Sequence, residues 1–281
     1  MPQPVRRSEG SMTGVGGLRL VYRTHEPQSP RAALMVVHGL GDHAGRYAEF
    51  ADRMAVSGIS TYALDLRGHG RSEGRRGHVP SFDVYLQELD RFRREVEGLV
   101  PRPAPLFLLG QSMGGLIALR YMEEYSGHVR GAVIASPWLA TAMPVPRWKT
   151  LLAPLLAKVL PAAPFRHGLD PEDLSRDPAV VAAWRDDPLV QPYVTPRTFM
   201  EVSHAMGMAL QRSDRISAPI LFIMGDADPV VDTGRTLGFA KSLKGPDITI
   251  RVLPGHLHEL LLELDRVRIH QEVRDWIMAR V

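Results

Sequence analysis

The chain has 281 residues, 44% of them hydrophobic, enough for a substantial core in one large α/β domain or two small ones. Its 34 basic and 31 acidic residues leave a net charge of only +3, and the basic residues are scattered among acids, which argues against a nucleic-acid partner. Cysteine is absent, so disulfides, thiolate metal sites and a cysteine nucleophile are excluded.

The start of the chain, Met1 to Arg7, carries positive charge but leads into Ser8-Glu9-Gly10-Ser11 and not into an apolar stretch. It reads as no secretory signal, and the expected location is the cytoplasm. Leu18–Tyr22 alternates apolar and polar residues and reads as an early edge strand. Ala33–Val37, Ser60–Leu64, Leu106–Leu109, Gly131–Ala135, Ile220–Met224 and Ile248–Val252 follow as mostly buried strands. Helical patterns separate them, which predicts a mostly parallel sheet of about eight strands flanked by helices on both faces. Phe82 to Val100 is the clearest helix: Phe82, Tyr85, Leu86, Leu89, Phe92, Val96 and Leu99 share one stripe, Ser81 supplies an N-cap and Pro101 a stop. A second helix is predicted from Ser112 to near Gly127, and a last one over Val267–Val281.

The alternation breaks between Pro137 and Ser217, a proline-rich stretch of short helical pieces. It reads as a helical cap inserted over the sheet's active edge, residues 137–217, with residues 1–136 and 218–281 forming the core of a single unit. Within it, Leu151–Leu160 is apolar but carries Pro154 and Lys158, and is too short to cross a bilayer.

The chemistry centres on Gly110-Gln111-Ser112-Met113-Gly114-Gly115, which follows the run Leu106–Leu109. Read as strand, sharp turn and helix, it matches the Gly-x-Ser-x-Gly nucleophile elbow, where a serine sits at the tip of a strained turn. Serine attacks only with a base beside it, and that base needs an orienting carboxylate. Both follow at the ends of later strands: Asp226 and Asp228 after Ile220–Met224, then His256 and His258 after Ile248–Val252. The order Ser, Asp, His is that of the α/β-hydrolases. Spacing alone leaves each pair open. A metal reading of His256-Leu257-His258-Glu259 lacks a third ligand cluster, and neither metal nor cofactor is expected. The oxyanion of acyl transfer needs two N–H donors, expected from Met113 and from Leu40 in His38-Gly39-Leu40-Gly41. Asp65 to Ser72 reads as scaffold, and His38, His43, His69, His78, His204 and Arg67 as partners of loops.

These strings together resemble the α/β-hydrolases of the monoacylglycerol lipase and lysophospholipase group over nearly the whole chain. His38-Gly39-Leu40-Gly41-Asp42-His43-Ala44-Gly45-Arg46-Tyr47 is similar to that family's oxyanion-loop motif, and Asp65 to Gly74 with Gly77-His78-Val79 to its Asp-x-Arg-Gly-His-Gly-x-Ser-x-Gly stretch. The elbow resembles the family's except that Gln111 replaces the usual His, a change expected to tune packing or polarity beside Ser112. The resemblance implies Asp228 as the acid and His258 as the base. It also implies a carboxylic-ester hydrolase cleaving monoacylglycerols through an acyl-enzyme. The alternatives are a lysophospholipase, a general esterase or acyltransferase, and more remotely a non-catalytic ligand receptor. The apolar stretch Leu151–Leu160 adds an expected peripheral contact with a membrane or micelle.

Overall fold

The computed structural model describes residues 4–101, 103–143, 147–244 and 247–281. Its main sheet is built from β1 (Arg6–Thr13), β2 (Arg19–Glu26), β3 (Ala32–Val37), β4 (Ile59–Leu64), β5 (Leu106–Gln111), β6 (Gly131–Ala135), β9 (Ile220–Gly225) and β10 (Ile248–Leu253). Their order is β1-β2-β4-β3-β5-β6-β9-β10; β2 pairs antiparallel with both β1 and β4, and the six strands from β4 to β10 are mutually parallel. Strands β3, β4, β6 and β9 are buried along their whole length, as the apolar sequences of β3, β6 and β9 require when both faces are covered; β4 buries Ser60 and Thr61 as well.

One face carries α2 (Phe82–Leu99), α3 (Met113–Glu124) and α7 (Thr233–Ser242). The other carries α1 (Ala48–Val56) and α8 (Arg266–Met278), whose Phe50, Met54, Ile269, Val273 and Ile277 pack on Leu34, Val36, Leu109 and Val133. Helix α2 buries the expected stripe apart from Leu99, which is exposed in the last turn. Ser81 caps it by accepting from the Asp83 N–H.

Two expectations change. Leu18–Tyr22 belongs to an inner strand, β2, because β1 pairs along its outer side. The edge falls to β1, whose sequence Arg-Arg-Ser-Glu-Gly-Ser-Met-Thr is nearly all exposed and carries no apolar face to betray it. Charge on that rim also discourages pairing with another chain. Helices α3 and α8 end at Glu124 and Met278, short of Gly127 and Val281.

Between β6 and β9 the chain forms α4 (Arg147–Val159), a two-strand ribbon of β7 (Phe165–Arg166) and β8 (Tyr193–Val194), α5 (Pro178–Asp186) and α6 (Pro196–Gln211). Helix α6 packs on α3 and α2, and its Val202, Ala205 and Ala209 join the main core. Helix α4 lies on α6, continuing through Pro154.

Candidate active site

Strand β5 lies near the centre of the sheet, and the chain turns sharply from it into α3 at Ser112. Ser112 has φ 55° and ψ −118°, a strained region for a residue with a Cβ. Packing enforces it: the Ser112 N–H donates to Ala135 O at 3.0 Å, while its carbonyl accepts from Leu116 and Trp138. The flanking glycines are needed sterically. A Cβ on Gly114 would lie 2.1 Å from Val37 O, and one on Gly110 would lie 2.3 Å from Gly114 O. Gly39 passes over the serine so closely that a Cβ there would sit 3.2 Å from Ser112 Cβ.

Beyond β9 and β10 the two ambiguous pairs take different partners. His258 Nδ1 lies 2.8 Å from Asp228 Oδ2, and both side chains are buried. The other Asp228 oxygen accepts from the N–H groups of Val230 at 2.8 Å and Val231 at 3.1 Å, which fixes the carboxylate. A carboxylate only accepts, so Nδ1 carries a proton and Nε2 is the ring nitrogen left to act as base. Asp226 instead accepts from Gly255 N–H, and His256 spends its nitrogens on Pro254 O and Asp265. Among the described residues neither Ser112 Oγ nor His258 Nε2 makes a hydrogen bond. Such contacts are commonly loose without substrate and close in the complex.

The loop after β3 is braced from below. His38 is fully buried, donates from Nδ1 to Gly39 O at 2.7 Å and accepts at Nε2 from Leu66 N–H at 3.0 Å, so its tautomer is fixed. Burial lowers its pKa despite Asp42 and Asp65 nearby. Asp65 accepts from the N–H groups of Ala44 and Arg71, and the Ser72 hydroxyl bridges Asp65 O to Val21 N–H. His69 stacks near His38 at 5.3 Å between ring centres, and burial with that neighbour pushes its pKa down to about 3. Arg67 binds Glu88 and Val15 O. His38, His69 and Arg67 are therefore held as loop partners. Among the described residues, the N–H groups of Leu40 and Met113 donate to no protein acceptor.

A second tie was not foreseen from sequence. Arg46 makes two 2.6 Å bonds to Glu259, the residue after His258, and a 3.2 Å bond to Asp42, whose other oxygen accepts from the Tyr47 hydroxyl. Burial alone would raise the Asp42 pKa, but Arg46, His38 and His43 outweigh it and lower it. Burial likewise opposes the Arg46 charge, and Glu259 with Asp42 raises its pKa. The Asp-x-x-x-Arg-Tyr spacing of 42–47 hinted at the local pair; its partner lies 213 positions away, beyond any local pattern.

The segment between β6 and β9 reaches the same loops. His43 Nε2 meets Asp187 at 2.8 Å, Gln191 N–H donates to Gly41 O at 2.9 Å, and Glu259 N–H donates to Leu174 O at 2.7 Å. His78 meets Thr195 at 3.0 Å, whereas His204 lies exposed on α6. The described fold thus gathers Leu40, Ser112, Met113, Asp228 and His258 at the carboxyl ends of β3, β5, β9 and β10.

A mostly parallel sheet with this order, turning into a helix at a strained serine, defines the α/β-hydrolase class. Residues 28–265 match the sequence family described as serine aminopeptidase, S33, and the chain belongs to that family of serine hydrolases. It is also similar to proteins named as monoacylglycerol and monoglyceride lipases. The chain is 34% identical to the monoacylglycerol lipase of Mycolicibacterium smegmatis, covering 98% of each, and 32% identical to the monoglyceride lipase of Homo sapiens, covering 96% of this chain and 90% of that one. The crystal structure of Paleococcus ferrophilus monoacylglycerol lipase superposes with a TM-score of 0.84 at 30% identity, over 99% of this chain and all of the other.

Proposed function

We propose that this enzyme hydrolyses monoacylglycerols to fatty acid and glycerol through an acyl-enzyme. The observation that carries it is the buried Asp228–His258 pair at 2.8 Å, set at the carboxyl ends of the strands where Ser112 is held in a strained turn. Ser112 Oγ attacks the ester carbonyl, and His258 Nε2 takes its proton and returns it to the departing glycerol oxygen. Asp228 orients the imidazole and stabilises its charged form. The free amides of Leu40 and Met113 receive the oxyanion, one such donor being worth about 3 kcal/mol of barrier. Water then opens the ester by the same route. The relatives named as monoacylglycerol and monoglyceride lipases support this head group over the peptide that the family description names. In a panel of monoacylglycerols, lysophospholipids, simple esters and aminoacyl amides, the expected result is turnover of monoacylglycerols. Ser112→Ala abolishes both that turnover and labelling by a fluorophosphonate; survival of either overturns the assignment.

In this reading residues 137–217 form the cap, and α4 is its lipid-facing part. Ala153 and Ala157 are buried, whereas Leu151, Leu152, Leu155, Val159 and Leu160 are exposed, Leu151 by 77%. An apolar patch of that kind marks a contact surface. Among the described residues no helix is long and apolar enough to cross a membrane, so the contact proposed is peripheral. The protein is expected to float with phosphatidylcholine vesicles, and Leu151→Ser with Leu155→Ser and Val159→Ser to reduce flotation. Equal flotation of the triple variant refutes this role.

A further inference from the structure

Gln111 precedes the nucleophile, and its side chain crosses from β5 to the loop that carries the base. Its Nε2 lies 2.9 Å from the backbone carbonyl of His258, and the side chain is almost fully buried. A carbonyl can only accept, so the amide orientation is fixed: the NH2 group faces His258 and Oε1 faces away, buried without a partner. Leaving a buried acceptor unpaired is costly, yet the arrangement keeps the donor on His258. The same loop is pressed onto the sheet two strands further on, at the end of β9. A Cβ on Gly225 would lie 2.1 Å from His256 O, and Ala227 N–H donates to that same carbonyl.

We propose that Gln111 is a positioning residue that ties the backbone of the general base to the strand presenting the nucleophile, so that Ser112 and His258 share one rigid frame. The inference rests on the assignment of Ser112 and His258 above. With Oγ and Nε2 not yet bonded in the free enzyme, their approach depends on how firmly each backbone is held. Asp228 fixes the imidazole, and Gln111 fixes the main chain from which it hangs. A histidine's Nε2 stands four bonds from Cα, as does that of Gln, so an imidazole N–H placed here can reach the same carbonyl.

The experiment compares Gln111→Met, which keeps the length and removes the donor, with Gln111→His, which restores one. For Gln111→Met, kcat on a monoacylglycerol and the second-order rate of fluorophosphonate labelling are expected to fall together by about tenfold, with KM within twofold. Gln111→His is expected to recover most of both rates. Gln111→Leu serves if Gln111→Met does not fold: it is apolar and has no donor, so the same loss is expected. A folded Met or Leu variant with unchanged kcat and labelling rate overturns the role, as does a loss that follows KM alone. Hydrolysis persisting in Ser112→Ala would instead defeat the underlying assignment, which keeps the two failures distinct.

Discussion

Removing Arg46 tests how the loop after β3 and the base loop are held together. Its guanidinium is 8% exposed and faces Glu259 and Asp42, themselves 9% and 6% exposed. Arg46→Met preserves much of the apolar stem but strands two buried carboxylates. Breaking a buried pair by deleting one partner costs about 3 to 5 kcal/mol, against about 0 to 1 kcal/mol for an exposed pair. In a chain of this size that is roughly a 10 °C fall in Tm. Asp42 retains the Tyr47 hydroxyl and the His43 N–H, so most of the loss falls on Glu259. Glu259→Gln removes the charge and keeps the shape, and the double variant should be more stable than the two single losses predict, with a coupling of about 2 kcal/mol. Equilibrium urea unfolding at pH 7 measures all four corners, and monoacylglycerol turnover reads the effect on the neighbouring His258. A loss below 1 kcal/mol for Arg46→Met, with additive singles, would refute the buried cross-tie.

Two further perturbations probe the elbow and the buried histidines. Gly114→Ala places a methyl group 2.1 Å from Val37 O and 2.6 Å from His38 O, so at least about 1 to 3 kcal/mol of stability and more than tenfold of kcat should be lost; normal turnover would show the turn to be pliable. His38 and His69 are held neutral with lowered folded pKa values, His69 at about 3, whereas an unfolded histidine titrates near 6.5. Below that pH the unfolded chain binds protons the folded chain refuses, so stability present above pH 6.5 is lost as pH falls toward 3. His69 alone should cost about 1.4 kcal/mol between pH 7.5 and pH 5.5 by urea unfolding, with His38 adding in the same direction, and a flat profile would contradict their neutral burial.

Much of this architecture is local and therefore visible in the sequence. Apolar runs marked β3, β5, β6 and β9 because a strand covered on both faces needs apolar residues at nearly every position, whereas β4 and the edge strand β10 were read from shorter β-rich runs that include Ser60, Thr61, Thr249 and Arg251. The seven-residue stripe of α2 and its Ser81 cap gave that helix nearly to the residue, ending at Leu99 instead of Val100. Strand β1 escaped because its stability comes from pairing with β2 and from ion pairs such as Arg7 with Asp52, none of which leaves an apolar pattern. Helices α1 and α7 went unpredicted as well; at nine and ten residues they offer only short stripes.

The Ser112 elbow, the order of acid and base, and the glycines that permit the turn were set by the sequence, because backbone sterics act between near neighbours. Which of Asp226 and Asp228 meets which of His256 and His258 is a property of the fold, since two strands must end side by side before either carboxylate has a partner. The same holds for Gln111 on the His258 carbonyl, 147 positions away, and for Arg46 on Glu259. Hydrogen bonds and buried ion pairs are decided within a few ångströms, and only tertiary structure brings those groups that close.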